Sequence, residues 1–335
     1  MYETIKNFNK QFLYEPEIIN QENLVEKSEF IVVGMGGSAL APLLLKTWKP
    51  ELDIIIHRDY GLPEISEKLK NKLIILSSYS GNTEEVIDAF LEAKENNLDM
   101  AIISTGGELL KLAKENNIPY IEMPNTGIQP RMALGFSIKA FLKLLGEENE
   151  LKNISELAVN LNPTDFEEDG KALAQKLKNY IPVIYASNNN SSIVYNWKIK
   201  LNETGKIPAF YNVLPELNHN EMTGFDVKDS TKELSNKFYF IILKDLGDNP
   251  KVLKRMSIIE KLYKDRGLQI ETIELPARNA FSIADAGGNG KDTWHKIFSS
   301  LVLADWTAYY TALEYGLEPE QVPMVEEFKK LILKF

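Results

Sequence analysis

Short apolar runs rich in β-branched residues alternate along this chain with stretches whose apolar residues recur at helical spacing, and few architectures accept that alternation. Residues 29–33 (EFIVV), 52–57, 72–77, 100–104 and 119–123 read as buried strands. Between them, 40–48, 65–71, 83–96 and 108–116 read as helices, and a further helix covers 131–145. Strands joined by helices of this length form right-handed βαβ units and a parallel sheet. A second series places strands at 182–187, 238–243 and 269–275, with helices at 191–201 and 252–265 and a long apolar helix at 297–315. The charged, Asn- and Pro-containing stretch 147–170 separates the two series. The chain has 335 residues, and at roughly 150 residues per domain the expectation is two α/β domains, 1–150 and 151–335.

Composition narrows the partners. Apolar residues make up 44% of the chain, enough to bury a substantial core. Lys and Arg number 38 against 48 Asp and Glu. The formal charge of −10 repels a nucleic-acid backbone, and no basic stripe offsets it. The absence of cysteine excludes a disulfide framework, a thiolate nucleophile and a cysteine-based zinc site. The three histidines form no HExxH or comparable metal-ligand spacing, so neither a metal nor another cofactor is expected. Residues 1–20 carry charges throughout, and no apolar window reaches the length of a membrane span. The expectation is a soluble cytoplasmic protein with no nucleic-acid or membrane partner.

Two loops have the make-up of anion sites. The first strand runs into Gly34-Met35-Gly36-Gly37-Ser38-Ala39 and then a helix. Clustered glycines allow close backbone approach, and a helix start presents free N–H groups. The same letters fit the dinucleotide fingerprint, with Asp53 or Asp59 as ribose acceptor, and they also fit a tight turn that holds nothing. The third strand ends in Ser77-Ser78-Tyr79-Ser80-Gly81-Asn82-Thr83-Glu84-Glu85. The hydroxyls of Ser78, Ser80 and Thr83 at a helix entrance can surround a phosphate with neutral donors. A capping box from Thr83 is the competing account. A dinucleotide domain has no use for a second phosphate loop after its third strand, which weighs against a nicotinamide cofactor.

These two loops resemble the ligand loops of the sugar isomerase (SIS) domain, and within that superfamily the chain is similar to the bifunctional phosphoglucose/phosphomannose isomerases. The resemblance covers nearly the whole length. It includes Ser104-Thr105-Gly106-Gly107, Pro130-Arg131-Met132-Ala133-Leu134-Gly135, Asn202-Glu203-Thr204-Gly205-Lys206, Asn218-His219-Asn220-Glu221 and Leu303-Ala304-Asp305-Trp306. It implies two SIS-type αβα sandwich domains, each with a mostly parallel sheet flanked by helices. It also implies a small-molecule sugar phosphate as substrate, bound through Gly36, Gly37, Ser38, Ser78, Tyr79, Ser80 and Thr83. The implied reaction is aldose–ketose isomerisation of glucose 6-phosphate, and of mannose 6-phosphate, with fructose 6-phosphate. The family forms homodimers with sites at the subunit interface.

Moving a carbonyl between C1 and C2 needs a base, an acid/base for ring opening and a positive partner for the enediolate. By the resemblance Glu203 is the base, although its place after a helical stretch also suits a surface glutamate. His219, in an Asn-rich loop, falls on the histidine that opens the ring from the neighbouring subunit; a loop histidine bonded locally is the bland reading. Arg131, at an expected helix start where a cation opposes the helix dipole, falls on the arginine facing the enediolate. A solvated arginine is its alternative. Lys296 matches the lysine before the family's long late helix, with Lys291 as a competitor. His57 and His295 read as structural or surface groups. Two other accounts stay open: a non-catalytic sugar-phosphate sensor using the same loops, and a nicotinamide-dependent dehydrogenase.

Overall fold

In a computed structural model, residues 1–63, 67–275 and 290–332 are described. Five strands form the first sheet: β1 (Phe30–Val33), β2 (Ile54–His57), β3 (Leu73–Ser78), β4 (Met100–Ser104) and β5 (Tyr120–Glu122). Their order is β2-β1-β3-β4-β5, and every pair is parallel. The inner strands β1, β3 and β4 are buried along their whole length, as continuous apolar runs in a sheet covered on both faces must be. Helices Leu40–Trp48, Glu84–Glu95, Gly107–Glu115 and Leu134–Leu144 supply the cover. On one face Ile31, Val33, Ile74, Leu76 and Ile102 pack against Val86, Ala89 and Phe90 of the second of these helices.

The second sheet has four strands: β6 (Ile181–Ser187), β7 (Phe210–Leu214), β8 (Phe238–Asp245) and β9 (Gln269–Leu275). All pairs are parallel and the order is β7-β6-β8-β9. Counted from each sheet's own first strand, the first sheet runs 2-1-3-4-5 and the second repeats its first four places, 2-1-3-4. Helices Ser191–Glu203, Pro250–Asp265 and Gly290–Glu314 belong to this half of the sequence. Tyr185, Phe240, Met256, Ile259 and Tyr263 form its aromatic-rich core. By their contacts the residues form two compact units. Among the described residues, the N-terminal unit comprises 7–63, 67–161 and 290–294, and the C-terminal unit comprises 1–6, 162–275 and 295–332.

All eight expected strands form, and the architecture is the expected pair of parallel α/β sheets. The differences are local. β7 was not anticipated: it is a short edge strand between Pro208 and Pro215, with Phe210 and Tyr211 exposed, so it lacks the buried apolar run that marks the others. Of the helix expected at 65–71, residues 65 and 66 lie outside the described residues, and Glu67–Asn71 form a 3₁₀ turn. The helix expected to open at Arg131 opens at Leu134 instead, and Pro130–Met132 is a separate 3₁₀ turn. Among the described residues no helix is long and apolar enough to cross a membrane.

Candidate active site

In the N-terminal unit the chain leaves β1 in one direction and β3 in the other, which makes the β1/β3 boundary a topological switch point. Such a point opens a crevice beyond the carboxyl ends of the strands. Both glycine- and hydroxyl-bearing loops lie there. Gly36–Ala39 forms a 3₁₀ turn leading into helix Leu40–Trp48. The loop after β3 leads into helix Glu84–Glu95, with Thr83 at its N-cap position.

Thr83 makes no side-chain capping bond. Its hydroxyl pairs with that of Ser78 at 2.7 Å, and Ser78 Oγ also accepts from the Gly81 amide at 3.1 Å. The capping-box account therefore fails, and the hydroxyls are held facing one another. Ser38 Oγ accepts from the Tyr79 amide at 2.9 Å, which ties the two loops together. Ser80 is exposed, and its hydroxyl accepts from the Asn82 amide at 3.3 Å. Burial pushes the Tyr79 phenol above its ordinary pKa, so it stays neutral.

The hydroxyl loop is braced by the loop after β4. The Tyr79 carbonyl accepts from both the amide (3.1 Å) and the hydroxyl (2.6 Å) of Thr105, and Asn82 Oδ1 accepts from the Glu108 amide at 3.0 Å. Gly81 sits at φ +71°, and a Cβ there would lie 1.8 Å from the Gly106 carbonyl oxygen. Only glycine lets the two backbones approach this closely. A Cβ on Gly37 would fall 2.6 Å from that of Pro130 and 2.9 Å from the Arg131 amide, so the first glycine loop packs on the Pro130–Met132 turn. Arg131 is 1% exposed, which removes the solvated-arginine reading. The unit thus brings Gly36, Gly37, Ser38, Ser78, Tyr79, Ser80, Thr83 and the Arg131 backbone together beyond the carboxyl ends of β1 and β3. The dinucleotide reading fits less well: Asp53 precedes β2, at the opposite end of the strands, and lies 3.6 Å from Lys72, while Asp59 accepts from its neighbour Tyr60.

The C-terminal unit holds the other expected residues. Glu203 is the last residue of helix Ser191–Glu203 and is half-buried. Its carbonyl accepts from Lys206 Nζ at 2.6 Å, and Asn202 Nδ2 donates to the Ile207 carbonyl at 3.0 Å, closing the turn that follows. One turn earlier, Lys200 pairs with Asp305 at 2.6 Å, both fully buried. This anchor was not read from the sequence, though the Asp305-Trp306 motif pointed to one half of it. Trp306 in turn donates to the Pro163 carbonyl at 2.8 Å.

His219 closes a 3₁₀ turn, Glu216–His219, and is exposed. The turn is held from both sides. Asn220 donates to Glu216 at 2.8 Å and caps Glu221. Glu221 accepts from Tyr185 and, at 2.6 Å, from Asn212. Burial, with the Tyr263 and Glu221 side chains, raises the Tyr185 phenol far above its ordinary range.

Lys296, on helix Gly290–Glu314, pairs with Asp245 at 2.6 Å, whereas the Lys291 side chain lies outside the described residues. Burial of Asp245 favours its neutral form, but Lys296, Gly247 and Asn190 outweigh it and hold the carboxyl below its ordinary pKa. His57 bonds the Tyr60 carbonyl at 3.3 Å, in keeping with a local structural role. Among the described residues no three histidine, aspartate or glutamate side chains converge as metal ligands.

Residues 166–332 match the family model of the bacterial phospho-glucose isomerase C-terminal SIS domain. The chain is 31% identical to a bifunctional phosphoglucose/phosphomannose isomerase from Aquifex aeolicus (strain VF5), covering 100% of this chain and 98% of that one. It is also 31% identical to a protein of the same name from Caldicellulosiruptor bescii, with 98% of each chain covered. The crystal structure of glucosamine-6-phosphate deaminase from Thermotoga maritima shares the fold at a TM-score of 0.63 and 18% identity, over 96% of this chain and 95% of that one. Identity sustained from end to end, with the loop motifs in place, means that the chain belongs to the family of bifunctional phosphoglucose/phosphomannose isomerases.

Proposed function

We propose that this protein interconverts glucose 6-phosphate and mannose 6-phosphate with fructose 6-phosphate through a cis-enediol. The observation that carries the reading is the braced pair of Ser78 and Thr83 hydroxyls at the entrance of helix Glu84–Glu95, beside the β1/β3 switch point. Neutral donors at a helix start grip a phosphoryl group without adding a fixed counter-ion. Gly36, Gly37, Ser38, Tyr79 and Ser80 complete that cradle. The phosphate loops belong to domain 1–150, and Glu203 and His219 to domain 151–335.

In this reading His219 opens the sugar ring by proton transfer at the ring oxygen. Glu203 then takes a proton from C1 of the open ketose while O2 gains one, giving the enediol. A proton returned to C2, with loss of the O1 proton, yields the aldose. Rotation about C2–C3 presents either face, which sets the glucose or mannose outcome. Arg131 and Lys296 offset the negative charge of the enediolate. His219 acts from a second copy in a homodimer, so sedimentation should give twice the chain mass.

The test is a coupled assay. Fructose 6-phosphate is supplied, and glucose 6-phosphate and mannose 6-phosphate are detected separately, with and without EDTA. Formation of both in EDTA is expected. Formation of neither overturns the assignment, and glucose 6-phosphate alone removes the mannose branch. A thermal shift with NAD but none with fructose 6-phosphate would revive the dehydrogenase reading.

A further inference from the structure

The second sheet repeats the 2-1-3-4 order of the first, so its own switch point lies at the carboxyl ends of β6 and β8. A polar cluster fills that position. Ser187 ends β6, Asn190 precedes helix Ser191–Glu203, Asp245 ends β8, Asp248 follows it, and Lys296 enters from helix Gly290–Glu314. Asn190 is fully buried, and Ser187 and Asp248 nearly so.

Asp245 is the hub. Its Oδ2 accepts from Lys296 Nζ at 2.6 Å and from Asn190 Nδ2 at 3.2 Å, while Oδ1 accepts from the Gly247 amide at 2.9 Å. Asn190 is itself fixed by Ser187 Oγ at 3.0 Å and approaches Asp248 Oδ1 at 3.5 Å. The carboxylate is therefore oriented from the backbone and from a buried amide, independently of the lysine. A carboxylate held in this way sets the rotamer of a flexible four-carbon amine that would otherwise sample several.

We propose that Asp245 is a positioning residue for the isomerisation: it fixes the ammonium of Lys296 at the carboxyl edge of the second sheet, the place from which Lys296 acts on the sugar. The inference rests on the role assigned to Lys296 above, and the experiment separates the two. Parent, Asp245→Asn, Lys296→Met and the double variant are compared as a double-mutant cycle in fructose 6-phosphate turnover, with thermal melts of each.

Lys296→Met should lower kcat about 100-fold. Asp245→Asn should lower kcat about 10- to 100-fold, as expected for a misplaced catalytic group, with KM within about threefold of the parent, since binding is not its task. In the double variant the two losses should not multiply: its kcat should match that of Lys296→Met within about twofold. A merely structural role predicts losses that multiply and that follow the melting temperatures. If Asp245→Asn does not fold, Asp245→Ser, which leaves room for water beside the amine, takes its place in the cycle. Parent-like turnover in the Asp245 variant beside a damaged Lys296→Met overturns the positioning claim alone, as does multiplication of the losses. Parent-like turnover in Lys296→Met overturns the lysine's role and this inference with it.

Discussion

Replacing Lys200 by Met tests the anchor that holds the last turn of the Glu203 helix. Lys200 and Asp305 are 0% and 1% exposed and 2.6 Å apart. Methionine roughly fills the lysine stem and leaves the Asp305 carboxylate in the interior without its cation. Removing one member of a buried pair costs about 3–5 kcal/mol. A second route to the magnitude agrees: the carboxylate can escape by taking up a proton, and at pH 7, about three units above its ordinary pKa, that costs about 4 kcal/mol. Each kcal/mol lowers the melting temperature of a cooperative unit of roughly 150–250 residues by about 2–4 °C, so the fall should be roughly 6–20 °C. Scanning calorimetry reads this directly. Lys200→Met/Asp305→Leu, which removes both charges, should recover most of it, because well-packed apolar pairs replace buried ion pairs at little cost. A single variant melting within about 2 °C of the parent, or a double variant no better than the single, would refute the reasoning.

Other outcomes follow from the same geometry. Gly81→Ala places a methyl 1.8 Å from the Gly106 carbonyl oxygen, so the hydroxyl loop must move; the thermal stabilisation by fructose 6-phosphate expected of the parent should vanish in the variant. Glu203→Gln should cut turnover about 100- to 10,000-fold, the usual worth of a general base, while fructose 6-phosphate still raises the melting temperature. Burial raises the Asp248 carboxyl above its ordinary pKa, so the folded state favours the protonated form and is penalised once this group ionises. Asp248→Asn should therefore melt above the parent at neutral pH, with the gap closing as the pH falls into the ordinary carboxylate range. A gap that widens towards acid would contradict that sign.

What could be read from the sequence depended on whether the determining contacts are local. Met100–Ser104 and Gln269–Leu275 were placed without error, because a buried parallel strand is a continuous apolar run that announces itself. β7 carries no such run and was missed. The start of the helix after Pro130 was misplaced by three residues, since proline is equally at home in the first turn of a helix or in a 3₁₀ turn. Thr83 looked like a capping residue, and its true partner, Ser78, lies only five residues away; the choice between them depends on how Gly81 turns, and Gly106 on another loop dictates that. Lys200–Asp305 and Asp245–Lys296 join residues 105 and 51 positions apart. No spacing rule reaches so far, and each pair was visible only as isolated charges.

The shared strand order offers two equivalent edges for the proposed phosphate site, and the side chains favour one of them. At the β1/β3 edge the loops present Ser78, Thr83 and backbone amides, all neutral donors. At the β6/β8 edge two carboxylates, Asp245 and Asp248, flank the single amine of Lys296, whose remaining N–H donors suit one developing oxyanion but not a phosphoryl dianion. A phosphoryl dianion entering there would meet like charge, and like charges close together in a protein repel strongly. Calorimetric titration with fructose 6-phosphate should therefore show one equivalent per chain. Ser78→Ala/Thr83→Val should weaken that binding by about 10- to 100-fold, the worth of a hydrogen bond to a charged group. The same double change at a site that served only as a loop brace would leave affinity intact and lower the melting temperature instead. Two equivalents per chain, or unaltered affinity in the double variant, would show that the phosphate sits elsewhere and that the hydroxyl pair is scaffolding.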